Sequence, residues 1–187
     1  MCSSDLNVLV VGGAGYIGSH CVRQAVAAGH RVGVLDDLSY GHRRAVPDAA
    51  RFFRADMGDE PAVRAALREA EAEAVIDFAA FTNVGESVRQ PERYRENNVT
   101  RTEGLLRAMR AEGVRKLVFS STCATYGVPE KMPMTEDLPQ RPINPYGETK
   151  LAVERRLAEL ARAEGLSFAD RKSTRLNSSH TVISYAV

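Results

Sequence analysis

Tyr146 and Lys150 stand four residues apart in PYGETK, a spacing that on a helix puts a phenol and an ammonium on one face. Such a pair suits proton chemistry. A tyrosine of pKa ~10 works as a base near neutral pH only after a lowering of ~3 units, about 4 kcal/mol. One cation at ~4 Å under an effective dielectric of ~20 supplies roughly that much. Upstream, FSSTCATYG offers the hydroxyls of Ser120, Ser121 and Thr122 at the end of an apolar run that reads as a strand. In open α/β sheets, ligands bind at the carboxyl ends of strands.

A second constellation lies near the start of the chain. GGAGYIG, Gly12 to Gly18, joins the apolar run NVLVV to a helical pattern. Gly12, Gly15 and Gly18 give GxxGxxG, and Gly13, Gly15 and Gly18 give GxGxxG. Glycines here allow a tight turn, close approach of backbone to a pyrophosphate, and helix–sheet packing. The helix N-terminus then presents free N–H groups and a positive dipole end to the phosphates. Asp36 and Asp37 close the next strand. A carboxylate at that place hydrogen-bonds a ribose 2′-OH and repels a 2′-phosphate, so the expected cofactor is NAD rather than NADP. Asp56, after the third strand, reads either as an adenine-side contact or as a helix cap.

The elements that must carry these groups alternate strand and helix, the pattern of βαβ units on a parallel sheet. Strands are expected at Asn7–Val11, Arg31–Leu35, Arg51–Ala55, Ala74–Ala80 and Val114–Ser121. Helices are expected at Tyr16–Ala28, Pro61–Ala70, Tyr94–Ala111 and Tyr146–Glu164, the last ended by Gly165. LSFA then begins a sixth strand, expected to stop at Ala169 and leave an apolar edge on the fifth. The fold class is α/β, a doubly wound parallel sheet (Rossmann fold), truncated at its C-terminal side.

The two ends read differently. Asp170 to Val187 has no apolar period, and Asp170 to His180 can be encoded by the opening of a sequencing-library adapter. The reverse complement of that opening, read from a GTG start, encodes Met1 to Leu6. Residues 1–6 and 170–187 are therefore expected to be adapter-derived, the tail to lack core contacts, and residues 7–169 to form an incomplete NAD-binding domain. Without the ends, basic and acidic residues balance. No basic block suggests nucleic acid, and no apolar run reaches the ~20 residues of a membrane span. Cys2, Cys21 and Cys123 are scattered, without CxxC spacing, which fits a reducing cytoplasm and no metal site.

Taken in order, GGAGYIGSH, LDDLSYGH, FAAFTNVGESVRQP, ENNV, FSSTCATYG and PYGETK resemble the UDP-glucose 4-epimerases of the extended short-chain dehydrogenase/reductase superfamily. The resemblance covers Asn7 to Ala169. It implies that Tyr146 is the catalytic base, Lys150 its electrostatic partner and ribose anchor, and Thr122 a hydroxyl beside the sugar C4 oxygen. Cofactor contacts are implied for Gly12, Gly15, Tyr16, Ile17, Gly18, Asp36, Asp37, Leu38, Ser39, Asp56, Met57, Phe78, Ala79, Ala80, Phe81, Thr82, Asn97, Tyr146 and Lys150. Thr82 departs from members with lysine there, and Thr122 replaces a serine but keeps the hydroxyl. Gly85-Glu86-Ser87 resembles the family's sugar-diphosphate approach loop. Tyr126, Cys123, His20 and His30 read as structural. A UDP-sugar substrate and a homodimer, through the helix after Glu92 and that of Tyr146, are further implications.

Two other functions stay open. A nucleotide-sugar 4,6-dehydratase carries an adjacent Asp-Glu pair after the active-site threonine, where this chain has Cys123 and Ala124. A non-catalytic NAD-binding module needs no phenolic base. Lacking the part of the fold that grips the nucleotide, the fragment alone is expected to bind NAD weakly and not to turn over.

Overall fold

Successive side chains of a strand point to opposite faces, and β1 (Asn7–Val11) buries both. Leu9 and Val11 join one core cluster with Val75, Leu105, Met109, Phe119 and Leu157, whereas Val8 and Val10 join another with Val22, Val32 and Val34. Each such side chain, fully buried, is worth about 1.5–3 kcal/mol. A strand buried on both faces belongs at the centre of a parallel sheet. The computed structural model describes residues 5–173 and shows that arrangement. Strands β1, β2 (Arg31–Leu35), β3 (Arg51–Phe53), β4 (Ala74–Asp77), β5 (Lys116–Thr122) and β6 (Ser167–Ser173) form one sheet in the order β3-β2-β1-β4-β5-β6. Every pairing is parallel.

Helix α1 (Tyr16–Ala27) covers one face; α2 (Glu60–Glu69), α5 (Arg101–Ala111) and α6 (Pro145–Glu164) cover the other, with α3 (Val84–Arg89) and α4 (Pro91–Arg95) near the carboxyl ends of the strands. Asp59 caps α2 by accepting from the Ala62 N–H, so the capping role left open for Asp56 falls to its neighbour. Asn144 caps α6 through the Gly147 N–H, with Pro145 in the first turn. Gly165, in the left-handed conformation, ends α6 as expected.

Several boundaries differ from the sequence reading. β4 stops at Asp77, whose carboxylate accepts the Ala79 N–H at 2.9 Å and turns the chain off the sheet. β3 stops at Phe53. The helix expected from Tyr94 begins at Pro91 and contains a π-helical turn, Glu96–Thr100. The short α3 had no clear periodic signal.

β6 is the largest correction. It continues through Asp170 to Ser173 and pairs with β5 as far as Thr122, so β5 has no bare edge. Lys172 pairs with Asp170 and lies 3.4 Å from Glu154. The reason is physical: the N–H and C=O groups of a strand edge pair with the backbone that follows, whatever its side chains. At the other end Leu6 packs on the Val8–Val32 cluster and its N–H reaches His30 Nδ1 at 3.2 Å. The remaining residues of both expected adapter segments, 1–4 and 174–187, lie outside the described residues.

The entry to α1 is the tightest point of the fold. Gly12 has φ +74, and a Cβ there would lie 2.7 Å from the Ala79 nitrogen; a Cβ on Gly18 would overlap the Gly12 carbonyl oxygen. We expect Gly18→Ala to lower unfolding free energy by about 1–3 kcal/mol through this overlap. Urea denaturation of the purified chain measures it, and an unchanged midpoint would show that the contact is slack.

Candidate active site

The carboxyl ends of β1, β2 and β4 open into a groove of about 610 Å3, walled by Gly12, Gly15, Asp36, Asp37, Ser39, Asp56, Met57, Phe78 to Phe81 and Asn97. It lies where β1 separates crossovers that leave in opposite directions, the switch point at which such sheets hold ligands. The Gly12–Gly18 loop, too tight for side chains, exposes backbone there and leads into the positive end of α1. Tyr16 and Ile17 are exposed on its first turn. The donor set, the bare loop and the acidic far end fit a dinucleotide.

Asp36 is only 8% exposed. One carboxylate oxygen accepts the Ala14 N–H at 2.9 Å and the other the Leu38 N–H at 2.8 Å. It thus ties the glycine loop to the end of β2 while also facing the groove. Asp37 accepts from Ser39 N at 2.8 Å and from the Ser39 hydroxyl at 2.6 Å, around Leu38 at φ 65. Thr82 is exposed beyond the groove wall.

The second part of the site assembles where β5 meets α6. A Cβ on Gly147 would lie 2.6 Å from the Ala124 carbonyl oxygen, so glycine lets α6 dock against the turn after β5. Ser87, fully buried, accepts the Tyr146 N–H at 3.3 Å and holds the helix start from the α3 side. The Thr122 hydroxyl accepts the Ala124 N–H at 3.2 Å, which leaves its proton for the Tyr146 phenol oxygen, and that hydrogen bond favours the phenolate. Ser121, on the opposite face of β5, bonds Glu154 instead. Thr122 and Tyr146 therefore meet.

Lys150 is engaged with the end of β5. It is 3% exposed, donates to the Ser120 carbonyl at 2.8 Å, and lies 4.5 Å above the Phe119 ring. Burial pushes it down to about 8, against the pull of Asp77 and Glu154. Tyr146 is pushed up by burial, with the Thr122 hydrogen bond opposing. The ammonium that was to lower the phenol is engaged with the strand end. Asp77, 2% exposed, is itself pushed up to about 6 by burial, with Lys150 pulling the other way.

Sequence reasoning missed several residues. Asn98, buried beside Asn97, accepts the Phe81 N–H at 2.8 Å and donates to the Phe81 carbonyl at 3.0 Å and to Thr149 at 3.3 Å. It staples the groove wall to α6, and ENNV held it in plain view. Tyr40 stacks edge-on against Phe81, and Arg93 lies 4.6 Å over the same ring. Glu86 pairs with Arg93 and accepts the Tyr94 hydroxyl at 3.0 Å, so Gly85-Glu86-Ser87 braces this wall. Cys123 is half-buried with its thiol pushed up by burial, and Tyr126 is packed, in keeping with structural roles. Among the described residues no helix is long and apolar enough to cross a membrane.

The sequence pattern of the NAD dependent epimerase/dehydratase family matches residues 8–176. The chain belongs to this family. It is 50% identical to a UDP-glucose 4-epimerase of Lactobacillus helveticus over 87% of this chain and 49% of that protein. A UDP-glucose 4-epimerase of Streptomyces lividans is 52% identical over 84% and 48%. The crystal structure of UDP-glucose 4-epimerase from Brucella ovis in complex with NAD superposes with TM-score 0.86 at 42% identity, over 92% of this chain and 54% of that one. The chain spans about half the length of the relatives it matches.

Within this family member, Asp77 sets how long Lys150 stays charged. Asp77→Asn removes a negative charge that raises the Lys150 value, so its ammonium should be lost at a pH below about 8. 13C NMR of lysine labelled at Cε reads the midpoint. An unmoved midpoint would show that Glu154 alone supports the charge.

Proposed function

We propose that this chain supplies the NAD-binding and catalytic half of a UDP-sugar 4-epimerase that interconverts UDP-glucose and UDP-galactose. The observation that carries the reading is the meeting of Tyr146 with Thr122 at the end of β5, beside a groove suited to a dinucleotide. Gly12, Gly15 and the first turn of α1 would hold the pyrophosphate, Asp36 and Asp37 a ribose, and Met57, Phe78 to Phe81 and Asn97 the flanks. Bound NAD supplies a reversible acceptor for the C4 hydride, so that C4 passes through a ketone and returns with either configuration.

The residues move the proton. The Tyr146 oxygen takes it from the C4 hydroxyl as the C–H bond breaks, and returns it to the C4 oxygen when the hydride comes back. Thr122 donates to the same phenol oxygen and holds the phenolate. Burial alone opposes this, so Lys150 must exchange the Ser120 carbonyl for the side of the phenol. At ~4 Å and an effective dielectric of ~20 its charge then offsets roughly 4 kcal/mol, about 3 units. Cys123 and Ala124 occupy the places where a dehydratase needs an acid and a base, which favours epimerisation.

The complete enzyme is read as a cytoplasmic homodimer. A groove between α5 and α6 supports the second part, with Leu106, Met109 and Leu160 on its floor and Arg107, Arg110 and Arg156 at its rim.

The test uses the full-length protein with UDP-galactose. Tyr146→Phe should cut turnover by at least about a thousandfold, as expected on removing a positioned acid–base group, while NAD affinity stays within about threefold. An isobaric hexose product from the wild type supports epimerisation. Loss of water would mark a dehydratase, and near-normal turnover of the variant would remove Tyr146 from the mechanism.

A further inference from the structure

Arg101 had no role in the sequence reading, yet it lines the groove beside Asp56 and Asn97. Its guanidinium pairs with one oxygen of the Asp56 carboxylate and reaches Asn97 Oδ1 at 3.5 Å. The other Asp56 oxygen accepts the Gly58 N–H at 2.7 Å. Asn97 is held in turn, its amide donating to Asn98 at 2.9 Å. The packing demands a small neighbour: a Cβ on Gly58 would lie 2.9 Å from Arg101 Cγ. Arg101 also opens α5 directly after the π-helical turn, a feature common at functional sites because it alters the register of a helix face.

A carboxylate offers about four acceptor positions, and Arg101 and Gly58 use two. Those remaining belong to a side chain whose orientation is set from both oxygens and which is a third exposed. An oriented acceptor attracts an amino group and repels a carbonyl oxygen. We propose that Arg101 is a positioning residue which holds Asp56 so that the base end of the groove selects a purine bearing a 6-amino group over one bearing a 6-oxo group. The proposal rests on the dinucleotide reading of the groove and on Asp56 as its base contact, and adds the residue that orients that contact. Arg101 acts through Asp56 and need not touch the ligand.

The experiment is titration calorimetry of the full-length protein with NAD and with nicotinamide hypoxanthine dinucleotide, which differ only at that position. The wild type should prefer NAD by about tenfold or more, the worth of one hydrogen bond to a charged group. Arg101→Ala should lose about that factor for NAD and change less than twofold for the hypoxanthine form, so the preference collapses. Asp56→Asn should collapse it as well, with Arg101 intact. Arg101→Lys should recover part of it, since an ammonium is a point charge without the guanidinium's fork. An equal loss for both dinucleotides in Arg101→Ala would reveal a role in folding or direct stacking and overturn the assignment. An unchanged ratio would do the same. A wild type that binds NAD without preference overturns this proposal alone, whereas one that binds neither dinucleotide overturns the reading of the groove with it.

Discussion

Strand β1 is hydrogen-bonded to β2 on one side and to β4 on the other, and the chain leaves it in one direction and returns to it from the other. The loops at its carboxyl end must therefore part. The groove is the space they leave, so its position follows from strand order before any side chain is considered. What fits that space to a phosphate is the absence of side chains at Gly12 and Gly18, which lets α1 begin directly on the strand end. Asp36 secures the arrangement by bonding the loop at Ala14. One carboxylate thus closes the loop and charges the rim.

The catalytic corner is built on the same logic of close approach, from different parts. Asn144, Gly147 and Ser87 anchor the start of α6 from three directions, and Tyr146 sits between them against Thr122. Farther along the helix, Lys150 and Glu154 face the sheet with Asp77 close by. Buried charges of both signs stabilise little on balance, because desolvation offsets much of their attraction. The raised Asp77 and lowered Lys150 values record that tension. Burial pushes the Tyr146 phenol up while the Thr122 hydrogen bond opposes it.

The walls of the groove depend on polar staples more than on apolar packing. Asn98 joins Phe81 to Thr149, Glu86 joins Arg93 to Tyr94, and Arg101 joins Asp56 to Asn97. Each bridges segments far apart in the chain and sets the direction of a neighbour that faces the ligand. The edge of the sheet shows the opposite case. β6 is completed by residues whose side chains carry no strand signal, because backbone pairing needs only an extended chain beside a free edge.

From the sequence alone came the fold class, the parallel βαβ alternation and the glycine loop, with Asp36, Thr122 and Tyr146 as candidate residues. These are legible because each follows from local chemistry: apolar period, the steric freedom of glycine, or spacing along one helix. The tertiary structure decided the rest. It set Lys150 on the Ser120 carbonyl, moved the helix cap from Asp56 to Asp59, inserted the π-helical turn that precedes Arg101, and carried β6 past Ala169. In each case the deciding partner lies in another segment, and burial or a backbone edge outweighs what neighbours in sequence would dictate. Residue types show what a site can contain; only the packing of distant segments sets the charge and direction of each group within it.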